Sequence, residues 1–164
     1  MRIIGFAALL SFVLVGCQTT EPVQKKTSLE IQAVQAKVFE HDKALVFKAV
    51  LSVLQDVGYV VQAANLDTGI VTAQSPTKQD TSGSAAFAAA LSGVRSEVRA
   101  LSTVTIEDIR KDQTKVRINI VAQRFRSARS GQQATDEVVI QDPQQYARFF
   151  ERLDEAIFIR TAQK

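Results

Sequence analysis

Hydrophobic and polar residues alternate along two stretches in the second half of the chain, a period of two that is typical of half-buried β-strands. In residues 94–109, valine, alanine and isoleucine fall on one face, interrupted by Ser96 and Ser102, and arginine, glutamate and threonine fall on the other. The alternation returns over residues 116–122. A polar turn at 110–113 separates the two stretches. We therefore predict two consecutive antiparallel strands.

Two other stretches have apolar residues at helical spacing. The first, residues 42–57, starts with Asp42 as a capping residue and is followed by Gly58, where a left-handed C-terminal cap would lie. The second starts at Asp142-Pro143, a capping carboxylate followed by the residue favoured at the first helical position, and runs to about Arg160. The apolar stripes consist of Phe47, Val50, Leu51, Leu54 and Val57 in the first helix and of Tyr146, Phe149, Phe150, Leu153, Ala156 and Ile157 in the second.

Shorter strands complete the predicted domain. Val34, Ala36 and Val38 alternate with Gln35 and Lys37, which predicts an opening strand. Two more strands, 59–64 and 70–73, flank the turn-forming residues 65–69, and a last one, 137–141, follows a loop at 126–133 that is rich in Ser, Gly and Gln. The resulting order, β-α-β-β-β-β-β-α, predicts an α+β two-layer sandwich, an antiparallel sheet with two helices packed on one face. The other face would remain open to water or to a partner.

The start of the chain is typical of an export signal. Arg2 precedes 13 uncharged, mostly apolar residues, Ile3–Val15, a run too short to span a bilayer comfortably. The run ends in Leu14-Val15-Gly16-Cys17, where a small residue precedes a thiol that can form a thioether once ionised. An uncleaved apolar anchor and an ordinary signal cut nearby are the alternatives.

The ending Leu14-Val15-Gly16-Cys17 resembles the lipobox of bacterial lipoproteins. The resemblance implies cleavage between Gly16 and Cys17 and acylation of Cys17 with chains such as palmitate. Two or three acyl chains give stable membrane binding. Residue 18 is Gln, and an aspartate at this position tends to retain lipoproteins in the inner membrane. We therefore expect the lipoprotein to lie at the periplasmic face of the outer membrane.

The domain organisation follows from these segments. We expect residues 1–16 to be the signal peptide and residues 17–28 to be the lipidated cysteine with a polar, flexible tether, although this segment could instead pack on the domain. Residues 29–164 would form a single domain with a mobile, alanine-rich insertion at 77–93. A domain of this length can bury a core without disulfides.

Three stretches of the domain resemble a group of small, uncharacterised bacterial lipoproteins: residues 51–59, 69–73 and 149–159. The element order is similar to that of the helix-grip domains of BamC, an accessory subunit of the outer-membrane β-barrel assembly machinery. BamC has two such domains and a longer N-terminal segment, and this chain has room for one domain. The resemblance implies an α+β domain at the envelope and no particular functional residues.

The composition gives no catalytic pattern. His41 is the single histidine, which excludes His-pair metal sites, and it precedes a predicted helix as a solvated neighbour of the cap. Glu107 and Asp108 are adjacent in a predicted strand, so their carboxylates would point to opposite faces. We expect no enzyme activity, no cofactor and no metal. The formal net charge of +3 is too small to indicate a nucleic-acid partner.

Two features predict an interaction surface. Residues 81–93 form an apolar segment bounded by Gly83 and Gly93, either a short helix or loop on the sheet or a flap that meets lipid or a partner. Residues 94–130 carry nine Lys or Arg and four Asp or Glu, either a basic patch or a solvated sheet face. The candidate surface residues are Phe87, Leu91, Arg95, Arg99, Lys115 and Arg117.

Together these features predict a membrane-anchored, non-enzymatic adaptor of the bacterial envelope that contacts another envelope protein and is accessory to an assembly complex. The alternative is a domain that holds an amphiphile or an envelope polymer between its sheet and its long helix, which requires a cavity under the closing helix. The sequence leaves the oligomeric state open.

Overall fold

A computed structural model describes residues 28–163 of the chain. The signal, Cys17 and the proposed tether up to residue 27 lie outside the described residues. The elements in chain order are α1 (Ser28–Val34), β1 (Ala36–Phe39), α2 (Lys43–Asp56), β2 (Val60–Asn65), β3 (Ile70–Gln74), β4 (Lys78–Gln79), α3 (Gly83–Ser92), β5 (Arg95–Arg110), β6 (Gln113–Ser127), β7 (Gln133–Val139) and α4 (Pro143–Ala162).

The strands form one antiparallel sheet of seven, with the path β1-β6-β5-β3-β2. The short β4 pairs with β5 beside β3, and β7 pairs with β6 beside β1. The long β5–β6 hairpin is central, and its two strands pair from Arg95↔Ser127 to Arg110↔Gln113. Helices α2 and α4 pack on each other, and their buried side chains join those of the sheet in one core. The predicted α+β sandwich with two helices on one face is confirmed.

Alternation along β5 and β6 places the even-numbered residues toward the helices. Val104, Ile106, Val116 and Ile118 are buried on this inner face, as the sequence pattern predicts. From the helices, fully or almost fully buried side chains meet them: Val46, Val50, Val53, Leu54, Tyr146, Leu153 and Ile157. The odd-numbered residues form the outer face of the sheet.

The predicted helix ends are confirmed in detail. The carboxylate of Asp42 accepts a hydrogen bond from the backbone N–H of Leu45 at 2.8 Å, and that of Asp142 accepts one from Gln144 at 3.0 Å. After α2, Gly58 adopts a φ of +83°, and its N–H donates to the carbonyl of Gln55. Such caps pair backbone groups that a helix end leaves without an intrahelical partner.

The opening strand predicted from the alternation of residues 34–38 is partly wrong. The strand is limited to Ala36–Phe39, and helix α1 occupies residues 28–34. The strand also faces the core with the opposite set of residues from the one predicted: Phe39 is buried, while Val38 is 44% exposed. Because a shift of one residue exchanges the two faces of a strand, the packing of Phe39 against Phe150 decides the register.

The last strand was predicted too late in the chain. It covers Gln133–Val139 instead of 137–141, because the polar residues at its start pair with the end of β6. An ion pair between Arg126 and Asp136 lies in this ladder. Among residues 28–163, no helix combines the length and apolar character that crossing a membrane requires.

Candidate functional site

The four basic residues of the predicted surface lie on the outer face of the sheet, but in two separate pairs. Arg99 pairs in register with Gln123, and Arg117 lies six positions before Gln123 on the same strand. Six residues of extended strand span about 20 Å. Arg95 lies on β5 two same-face positions from Arg99, and Lys115 lies on β6 one same-face position from Arg117. The four cations therefore form two separate pairs and not one continuous basic patch.

Arg99 is already engaged by neighbours on the outer face. Its Nε donates to the amide oxygen of Gln123 at 2.7 Å, and its guanidinium carbon lies 4.7 Å from the ring centroid of Phe125. The amide of Gln123 donates in turn to Glu137 at 2.5 Å. These contacts hold the guanidinium in place and occupy one of its donors, which reduces its availability as a free basic contact.

Phe87 and Leu91 lie on α3, and both are largely exposed, at 67% and 73%. The helix meets the sheet through its small residues, since Ala85 and Ala88 line a shallow hollow with Ser96 of the inner face. Helix α3 therefore lies on the side of the sheet opposite Arg99 and Arg117. The predicted apolar and basic residues do not share one surface, while the mobility predicted for 77–93 stays a prediction.

Asp80 connects the α3 segment to the sheet. Its carboxylate accepts from the backbone N–H of Ser82 at 3.0 Å and pairs with Arg124 at 3.0 Å. The Ser96 hydroxyl donates to it at 3.4 Å, and the Asp80 N–H donates to the Ser96 carbonyl at 2.8 Å. The backbone hydrogen bond from Ser82 is the largest cause that lowers the pKa of Asp80 below its ordinary value.

The residues considered for catalysis do not converge. The backbone carbonyl of His41, just before α2, accepts from the Thr114 hydroxyl at 2.7 Å. Glu107 and Asp108 are both exposed near the β5–β6 turn. Within residues 28–163, no group of three or more His, Cys, Asp or Glu side chains is arranged to hold a metal ion.

The outer face carries a polar groove of about 530 Å³. Its floor is formed by Thr103, Thr105, Arg117 and Asn119, and its walls come from α1 and from the segment that follows β7. Strand β6 pairs with β1 along its first part and with β7 along its last part. Between these two parts, the N–H of Ile118 donates a hydrogen bond to the carbonyl of Gln35 at 2.9 Å. The outer face is therefore polar along this groove.

A second groove, of about 630 Å³, lies between the sheet, the end of α2 and the first half of α4. We call it the helix-side groove. Its apolar lining comes from Leu54, Val57, Ile118, Ile120 and Phe149. Its polar lining consists of Tyr59, Lys78, Ser102, Gln145, Arg148 and Arg152.

Two lining hydroxyls differ in their surroundings. The side-chain oxygen of Ser102 is buried and has no hydrogen-bond partner among residues 28–163, and the whole residue is only 2% exposed. Tyr59 is half-buried at the groove, and burial raises the pKa of its phenol, which keeps the hydroxyl neutral. The groove thus offers neutral hydroxyls and three cations around an apolar lining.

Sequence reasoning named none of these groove residues as a site. The alternative function expected a cavity under the closing helix, and the helix-side groove occupies that position. The available signal was the serine at 102, which interrupts an otherwise apolar face in the middle of a long strand. Comparison with protein-family models and with curated protein sequences finds no match for this chain.

Proposed function

We propose that the chain is a lipid-anchored, non-enzymatic binding module of the bacterial cell envelope, held at the periplasmic face of the outer membrane through acylated Cys17. The observation that carries the anchor is the Leu14-Val15-Gly16-Cys17 ending of a charged and then apolar N-terminal run. Arg2 and the apolar run precede the only cysteine of the chain, which makes that thiol the single candidate for acylation.

Metabolic labelling with radioactive palmitate tests the anchor. We expect the wild-type chain to incorporate label and to sediment with outer-membrane vesicles, and Cys17→Ser to lose both properties. The matched control is Ser28→Ala, which alters a small polar residue at the end of the proposed tether and leaves the thiol in place. Equal labelling of Cys17→Ser and wild type would overturn the proposal.

The proposed main role is that of an adaptor for another envelope protein, and the outer face of the sheet supports it. Neither α2 nor α4 covers this face, and the Arg99–Gln123–Glu137 hydrogen bonds hold its side chains in fixed positions. Side chains that are already held in place lose little conformational entropy on binding. The similarity in element order to BamC domains makes an envelope assembly complex the candidate partner.

Photocrosslinking in living cells tests the adaptor role. A photoreactive amino acid at position 95 or 117 samples the two ends of the outer face, and one at position 87 or 91 samples α3. We expect a discrete adduct with another envelope protein from at least one outer-face position. Position 158 provides a control because Phe158 is exposed, at 73%, on the distant helix α4. Adducts with lipid or with a second copy of the chain alone would contradict the adaptor role.

A second candidate function is the binding of an amphiphile between sheet and helix, and the helix-side groove favours it. Ligand sites of about 300–1,000 Å³ with a mostly apolar lining and a few polar groups are common in proteins. The volume of about 630 Å³ lies within that range. The lining combines an apolar side with a larger share of polar groups than such sites usually have, which suits an amphiphile.

A further inference from the structure

The helix-side groove exists because of short side chains on the sheet and because of how α4 is placed. Ala73, Ser102 and Ile120 face one another in register on adjacent strands, and the first two are small. Helix α4 packs on α2, and its buried side chains join the core of the sheet. The first half of α4 forms the side of the groove that faces Ser102 and Ile120.

The buried hydroxyl of Ser102 marks this space as a place for a ligand. Buried polar groups in folded proteins almost always have a hydrogen-bond partner, because leaving one unpaired is costly. The Ser102 oxygen is buried, lines the groove and has no partner within the described part of the chain. An occupant with a hydrogen-bonding atom near the sheet would satisfy it.

The charged side chains that line the groove all have the same sign. Lys78, Arg148 and Arg152 line it, and no carboxylate does. None of the three forms an ion pair with any residue in 28–163, where the ion pairs are Lys37–Asp154, Arg124–Asp80 and Arg126–Asp136. Three cations close to an apolar lining produce a positive potential, which attracts an anion.

We propose that the helix-side groove binds a single-chain amphiphile with a compact anionic head, of the long-chain fatty-acid type. The carboxylate accepts a hydrogen bond from the Ser102 hydroxyl and is held by Arg148, Arg152 and Lys78, all of which line the groove. The chain lies along Leu54, Ile118, Ile120 and Phe149. Arginine suits this role because its guanidinium can donate two parallel hydrogen bonds to one carboxylate. This inference rests on the amphiphile-binding candidate, to which it gives a ligand class, and is independent of the adaptor role.

The test uses the full chain in discs of zwitterionic phospholipid, with a myristate that carries a photoactivatable diazirine on its chain. We expect saturable labelling that peptide mapping places on groove-lining segments of α2, β6 and α4. Unlabelled myristate should compete at least tenfold better than monomyristoylglycerol, which is neutral, or tetradecyltrimethylammonium, which is cationic.

Two sets of variants locate the binding energy. The double variant Arg148→Gln, Arg152→Gln should bind myristate at least tenfold more weakly than wild type. The control is Lys115→Gln, Arg117→Gln, which makes the same change of charge on the outer face and should leave binding unchanged. Ser102→Leu, which fills the floor, should abolish labelling, and Thr103→Leu, its neighbour on the opposite face, should leave it unchanged. If circular dichroism shows that Ser102→Leu is unfolded, the Arg148→Gln, Arg152→Gln variant alone tests the proposed site.

Each contrary outcome overturns the inference in a distinct way. Absence of saturable labelling in the groove would remove the amphiphile-binding function as well. Equal competition by all three amphiphiles, or full binding by the Arg148→Gln, Arg152→Gln variant, would leave an amphiphile site without preference for an anionic head. None of these three results bears on acylation of Cys17 or on adducts from the outer face.

Discussion

At the scale of single residues, Gly69 closes the β2–β3 turn in a backbone conformation that side chains other than glycine rarely adopt. Its φ is +70°, and its carbonyl accepts from the N–H of Ile106 at 2.7 Å. A Cβ at this position would lie 2.0 Å from the carbonyl oxygen of Ile106. Glycine here allows the turn and the central strand β5 to approach each other.

We expect Gly69→Ala to lower the free energy of unfolding by more than about 2 kcal/mol, from backbone strain and the clash with β5. Gly131→Ala is the matched control, because Gly131 has a φ of +82° and nothing within 4 Å of the added carbon. In the control, backbone strain alone should lower the free energy of unfolding, by about 1 kcal/mol. Equal losses in urea unfolding of the two variants would show that the contact with Ile106 has no energetic effect.

The two serines that interrupt the apolar face of β5 have different roles. Ser96 donates a hydrogen bond to Asp80, while the Ser102 hydroxyl has no partner in the part of the chain that the structure describes. Removing an unpaired buried hydroxyl relieves a desolvation penalty, so Ser102→Ala should raise the free energy of unfolding by about 1 kcal/mol. Ser96→Ala should lower it by about 0.5–1.5 kcal/mol. A loss of stability in Ser102→Ala, measured by urea unfolding, would indicate that its hydroxyl is paired with water.

At the scale of elements, the parts that could be predicted are those whose signals are local. Alternation over β5 and β6 reflects one buried face, and Asp142-Pro143 and Gly58 act within a single turn of the chain. The closing helix has its predicted apolar stripe, because burial against one neighbour selects one face. These features need no knowledge of distant segments.

The elements that sequence reasoning missed depend on distant partners. Residues 133–136 are mostly polar, and they form a strand because they pair with β6. Gln35 is buried, at 4% exposure, because its side chain donates to the hydroxyl of Tyr146 and its carbonyl bonds to β6. The helix-side groove likewise depends on the placement of α4 against α2, which no local pattern encodes.

The attachment of α3 should weaken in acid because of Asp80. Its pKa in the folded protein is lowered from the ordinary value of 3.8, so the ionised carboxylate stabilises the fold above that value. This stabilisation should be lost as the pH falls below 3.8 and through the lowered pKa. We expect the difference in unfolding free energy between wild type and Asp80→Asn to shrink between about pH 5 and pH 2. A difference that stays constant over this range would contradict the role of the carboxylate.

At the scale of the whole molecule, one core connects both helices to the sheet. Leu153 of α4 is fully buried, whereas Phe158, on the same helix, is 73% exposed. We expect Leu153→Ala to lower the free energy of unfolding by about 2–5 kcal/mol in a single cooperative transition. Phe158→Ala should change it by less than about 0.5 kcal/mol. Two separate transitions in Leu153→Ala, followed by circular dichroism and fluorescence, would show instead that α4 detaches independently.

The arrangement of layers also separates the two proposed binding modes. The polar outer face and the helix-side groove lie on opposite sides of the same sheet. An adaptor contact on one side therefore leaves the other side accessible. The two roles can be tested independently with outer-face and groove variants, because neither set changes the lining of the other surface.

The central hairpin has a consequence for the order in which the molecule acquires its structure. Lys111 and Asp112 alone connect its two long strands, and Asp112 has a φ of +56°. Pairing that starts at this turn closes short loops, whereas β1 must find β6 across more than seventy intervening residues. We expect substitutions in the turn to alter the rate of refolding more than the rate of unfolding, with the chain ends docking last onto a ribbon that is already assembled.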